Sequence, residues 1–151
     1  MDYPTLLDDQ PAKVFAYSLE SMIAEKFEAI VSLGEVNGRL KDFYDICSLA
    51  ERMDFDGEKL QAAIRETFSH RNTSLNEIAA FDDRFTLDPV RASRWKGFLK
   101  SKNVLSSRSF TDVLHIIIHF LNPVVESINS DAPFKHKWSH AKMNWTNPCE
   151  L

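Results

Sequence analysis

Glycine and proline are scarce, 4 and 6 in 151 residues, and the prolines fall mostly at segment edges. That excludes a loop-rich or disordered chain and favours helices. Cysteine is scarcer still. Cys47, inside a helical segment, and Cys149, near the end, make no disulfide framework, so reduced thiols in a cytoplasm are expected. No apolar run approaches a membrane span and the N-terminus carries no secretory pattern, so the chain reads as cytoplasmic with no membrane partner. Basic charge is not in excess: 18 Lys and Arg against 22 Asp and Glu leave a net −4. A broad electrostatic pull toward nucleic acid is thereby excluded, though local basic patches are not. Also missing is any Gly-Ser or Gly-Gly pair.

What is present is helical periodicity, in a length that suits one domain with one core. Ser18 is a good N-cap, Glu20 sits where the helix dipole favours an anion, and Gly34 supplies a stop. Between them Leu19, Met22, Ile23, Phe27, Ile30 and Val31 form a core-facing stripe. At about 100° per residue, Lys26 lands in the middle of that stripe, where an unpaired charge is costly. From about Leu40 a second helix carries Phe43, Tyr44, Ile46, Cys47, Leu49, Ala50 and Met53 over a wide apolar arc. Asp42 falls inside this arc and Asp45 at its edge, three residues apart and sharing a face. The pattern therefore places a lysine and two aspartates at one polar spot. Either the spot fixes how two helices dock, or it does chemistry.

The other segments follow by the same rules. Residues 1–17 read as an irregular lead-in ending in a short strand, Lys13–Tyr17, whose unpaired edge invites homodimer pairing. In Asp54-Phe55-Asp56 the second aspartate is a helix N-cap rather than a metal ligand, and the helix runs to about His70. Arg65, His70 and Arg71 then lie near a helix C-terminus, suited either to end-capping or to gripping a phosphate. A short helix is expected over Leu75–Phe81, followed by a polar loop, Asp82–Arg84. Asp88-Pro89 opens a helix to about Lys102, packed through Val90, Trp95, Phe98 and Leu99. Arg91, Arg94, Lys96, Lys100 and Lys102 make it the most basic segment. With Trp95 between them it suits a nucleic-acid backbone and a stacked base, or a solvated outer face over a packed inner one. Ser109 or Thr111 caps the last long helix, apolar on nearly every side and hence central. His115 and His119 have a spacing that can hold a metal, but no Glu follows the first and no third ligand is evident, so packed histidines are expected. Asn122-Pro123 should kink or end this helix, with Val124–Ile128 continuing it. In the tail from Asn129, Trp138 and Trp145 are expected to pack back on the bundle.

The string Tyr17-Ser18-Leu19-Glu20, Ala24-Glu25-Lys26 and Arg39-Leu40-Lys41-Asp42-Phe43-Tyr44-Asp45 resembles the second half of the AbiEii/AbiGii toxin family. These are nucleotidyltransferase-like proteins of bacterial abortive-infection (phage-defence) and type IV toxin–antitoxin systems. Ala63-Ile64-Arg65-Glu66-Thr67-Phe68-Ser69-His70-Arg71 and Phe120-Leu121-Asn122-Pro123 extend the likeness from about Tyr3 to Ile128. The resemblance implies Lys26 for the family's motif lysine and Asp42 with Asp45 for its Asp-x-x-Asp. It also implies magnesium, nucleoside triphosphates, an antitoxin and an RNA acceptor. Arg65 and Arg71 become candidate contacts to the substrate's phosphates. The family's earlier Gly-Ser turn and Asp-x-Asp strand have no counterpart before Ser18, so a C-terminal portion without its nucleotide-binding half is expected, inactive alone and with no cofactor bound. The alternative is a non-catalytic helical module that binds an antitoxin or another protein. The fold expected is mainly α, a single bundle of about five or six helices over residues 18–128, with one short N-terminal strand and a partly packed tail over 129–151.

Overall fold

The computed structural model describes residues 18–33, 40–82, 85, 87–102 and 108–147. Among these residues are five α-helices: α1 (Leu19–Leu33), α2 (Leu40–Arg52), α3 (Gly57–His70), α4 (Pro89–Ser101) and α5 (Phe110–Asn129). A three-stranded antiparallel sheet closes one end, made of β1 (Phe55–Asp56), β2 (Lys137–Ser139) and β3 (Asn144–Thr146) in the order β1-β2-β3. The chain is thus mainly α, as its composition implies. The strand expected over Lys13–Tyr17, with the dimer edge it implied, and the stop at Gly34 lie outside the described residues.

The helix starts are written locally. Ser18 Oγ accepts the Ser21 backbone N–H at 3.1 Å, Asp56 accepts those of Glu58 and Lys59, Asp88 that of Val90, and Ser109 that of Asp112. Each ties up a donor that the first turn of a helix leaves without an intrahelical partner. α1 packs along α3 and α2, and α5 lies across α2, α3 and α4, so one core runs through all five helices. Ile23, Phe27, Ile46, Leu60, Ile64, Leu114, Phe120 and Leu121 are sealed in it.

One expected helix needs correction: Leu75–Phe81 holds only a single 3-10 turn, Ala79–Phe81. At Asn122-Pro123 the helix takes the continued course, Val124–Ile128 extending α5 to Asn129. Pro123 removes the hydrogen bond to the carbonyl of His119. Beside that gap, the Phe120 carbonyl accepts the indole N–H of Trp145 at 2.9 Å. The tail is more than packed: its two strands join Phe55–Asp56 in the sheet, with Phe55 opposite Trp138 and Trp138 opposite Trp145.

Gly57 shows how tightly the sheet meets α3. Its N–H donates to the His136 carbonyl at 2.9 Å. A Cβ on Gly57 would collide with that same carbonyl oxygen and meet the Phe134 ring at 2.7 Å. Gly57→Ala should therefore lose stability by about 1–3 kcal/mol, because backbone must move to admit one methyl. A urea denaturation curve checks this; an unchanged midpoint contradicts it.

Candidate functional site

The polar spot expected between the first two helices is present. Lys26 Nζ of α1 lies 2.9 Å from Asp45 Oδ2 and 3.8 Å from Asp42 Oδ1, both on α2. Asp42 is buried and Asp45 half-buried, the order their helical positions imply. Lys26 sits differently from expectation. Its side chain is 23% exposed, at the margin of the buried arc rather than its middle. The buried charge on α1 is instead Glu28, 3% exposed.

Sequence reading missed a fourth member. Lys41 Nζ donates to the same Asp45 oxygen at 2.7 Å, a contact that its i, i+4 spacing on α2 makes readable. Burial works against the Asp45 carboxylate, but hydrogen bonds from Lys41 and Lys26 outweigh it and hold its carboxyl below the ordinary value. Lys41 is raised by the same hydrogen bond. On acidification the unfolded chain therefore takes up its Asp45 proton before the folded chain does. This contribution to stability is whole above about pH 4 and is lost as pH falls through the depressed folded value. Lys41 acts at the other end: its contribution is whole below its ordinary value and fades only as pH rises beyond it. Asp45→Asn should flatten the acid limb of a stability-against-pH curve. An acid limb identical to that of the wild-type protein contradicts this assignment.

Arg71 and Arg65 do not join the cluster. Arg71 caps α3 and extends to α1, 2.6 Å from Glu25 and 3.2 Å from Glu28, while Thr73 Oγ1 donates to Glu28 at 2.6 Å. Glu25 and Glu28 stand roughly 100° and 160° round α1 from Lys26, so this network covers a different face. It neutralises the buried Glu28. Arg65 is exposed and pairs with Asp131 at 3.4 Å.

Trp95 is not free to stack a base. It is 2% exposed, packed against Phe98 and Phe110, and donates its indole N–H to the Arg108 carbonyl at 3.0 Å. Arg91 is held by Asp88 at 2.6 Å and lies over the Phe85 ring. Arg94, Lys96, Lys100 and Lys102 stay exposed, with no ion pair to the described residues. The histidines also depart from expectation: His115 and His119 are exposed rather than packed. On the next face of α2, a pocket of about 250 Å³ is lined by Tyr44, Cys47, Ser48, Arg52 and the Glu51–Arg108 ion pair. Burial pushes the Cys47 thiol up to about 12, which leaves it un-ionised and a poor nucleophile.

A family model described as nucleotidyl transferase AbiEii toxin, type IV TA system, matches residues 1–115. The match covers α1 to α4, the start of α5 and the whole Lys26 cluster. The chain belongs to the AbiEii toxin family. No curated protein and no solved structure matches it. Membership of a type IV toxin–antitoxin family implies an antitoxin counterpart for this AbiEii chain. Among its described residues no helix is long and apolar enough to cross a membrane.

The AbiEii cluster does not fit a divalent-metal site. Asp42 and Asp45 both face the Lys26 ammonium and Asp45 also holds Lys41, so their charge is already met. Among the described residues no group of three or more His, Cys, Asp or Glu comes together. What the cluster offers is cations: two ammonium groups converging on one carboxylate at the edge of a core.

Proposed function

We propose that Lys26 presents its ammonium to a phosphate of a nucleoside triphosphate during nucleotidyl transfer, with Asp45 and Asp42 aiming it. The observation that carries this is an amine fixed by carboxylates of a neighbouring helix yet still 23% exposed at its side chain. A sealed pair would leave no room for a substrate, and a fully solvated one would hold no direction. In a half-desolvated setting a pre-aimed ammonium opposes developing phosphate charge more strongly than one in water. Lys41 completes the device. When Lys26 turns toward a phosphate, Lys41 remains on Asp45 and keeps that carboxylate compensated. Arg65 and Arg71, each engaged by carboxylates elsewhere, take no part in this reading. An RNA acceptor would meet Arg94, Lys96, Lys100 and Lys102 along α4 as backbone contacts.

A second reading keeps Lys26 as a docking pair only and makes the chain a module for an antitoxin or another protein. Leu87, 70% exposed, and Val90, 55% exposed, favour it by placing apolar surface at the head of the basic helix. Nucleotide transfer by the full-length protein separates the two. Loss of transfer in Lys26→Ala, with the fold intact, supports the first. Unchanged transfer with a lowered melting temperature overturns it in favour of the second.

A further inference from the structure

α5 packs against α2, α3 and α4, and one stripe of it faces out. His115 and His119 lie on that stripe, both exposed. Four residues apart on a regular helix, their Cβ atoms stand about 6 Å apart, on one face and one turn along. Zinc proteases hold one ion between two histidines at this spacing. Their imidazole nitrogens come within about 2.0–2.1 Å of the metal. His115 has no hydrogen bond or ion pair to the described residues. The His119 ring meets Trp138 in a T-shaped contact, centroids 5.8 Å apart at 64°, while the residue stays exposed. The remaining histidines are less suited. His136 Nδ1 contacts the Thr146 carbonyl at 3.1 Å, His140 Nδ1 contacts Asp54 at 2.7 Å, and His70 stands apart on α3.

We propose that His115 and His119 form a surface site for a single borderline transition-metal ion, with water filling the other positions. Two neutral imidazoles and no carboxylate suit Cu²⁺, Ni²⁺ and Zn²⁺, with Cu²⁺ the tightest, and do not suit Mg²⁺ or Ca²⁺, which take oxygen ligands. No group of three or more His, Cys, Asp or Glu assembles there among the described residues, so the ion has two protein ligands and exchanges freely. Bound, it clamps two turns of α5 on the folded chain alone and stabilises it by mass action. This site lies on another helix from the Lys26 cluster and stands or falls independently of nucleotidyl transfer.

The test uses the whole chain, stripped with a chelator and titrated with copper(II), zinc or magnesium chloride. Copper(II) should quench tryptophan fluorescence with one-to-one saturation, because Trp138 borders His119. Copper(II) and zinc should each raise the melting temperature by roughly 5–10 °C once free ion exceeds its Kd a hundredfold, while magnesium does neither. His115→Ala, an exposed helical change that leaves packing untouched, should abolish both responses, and His119→Ala should match it. A His115→Ala protein that responds like the wild type, or an equal response to magnesium, overturns the site.

Discussion

Lys26→Ala is expected to slow nucleotide transfer by about 100- to 1000-fold, the loss that follows removal of one group placed to meet charge at a reacting centre. Stability should fall far less. Asp45 loses the Lys26 ammonium at 2.9 Å but keeps Lys41 at 2.7 Å, and Asp42 loses an ammonium that stands 3.8 Å away. A partly exposed pair of this kind contributes roughly 1 kcal/mol, equivalent to a fall of about 2–4 °C in melting temperature for a chain of this size. The contrast between the two readouts carries the argument. A docking pair would show the reverse, with stability lost and transfer kept. Lys26→Arg should recover part of the rate, since charge is retained while the amine's compact geometry is not.

Trp138→Ala is expected to cost about 3–5 kcal/mol, the largest stability loss foreseen for a single change in this chain. Trp138 is 1% exposed and packs against Phe120 and Trp145 at centroid distances of 4.8 and 5.4 Å. Its indole N–H also donates to the Ala50 carbonyl at 2.8 Å. Ala50 lies in the last turn of α2, where carbonyls lack intrahelical donors, so this one side chain caps the helix that bears Asp42 and Asp45. Removing it opens a cavity, strands a buried carbonyl and unpins the sheet from the bundle. Guanidinium unfolding followed by far-UV circular dichroism checks the size of the loss. A change below 1 kcal/mol would mean that the sheet is only loosely attached. Trp138→Phe keeps most of the packing and should fall between the two.

Legibility in the sequence followed the range of the forces involved. Asp56, Asp88 and Ser109 were readable as caps because a cap acts on the next three residues and needs nothing distant. The Lys26 pair was readable because helical period alone turns Lys26, Asp42 and Asp45 toward apolar arcs, leaving them one another to meet. Which aspartate stands closer was not, since that depends on how α1 and α2 cross. The sheet left no such trace. Lys137–Ser139 and Asn144–Thr146 are too short for alternation to register, and they exist because Phe55, more than eighty residues away from Trp138 in the chain, supplies the third strand. Glu28 escaped notice for the same reason: its partners Arg71 and Thr73 come from the far end of α3. The histidines of α5 misled in the opposite direction, because so many apolar neighbours suggested a helix buried all round, when one stripe of it meets solvent.

Whether the Lys26 ammonium serves a phosphate is decided by titrating a nucleoside triphosphate into the full-length protein and its Lys26→Ala variant, with a melting curve for each. Affinity should be at least tenfold weaker in the variant, with melting temperatures within a few degrees of each other. Equal affinities together with a collapse in melting temperature would contradict that role and leave Lys26 as a fastener between two helices.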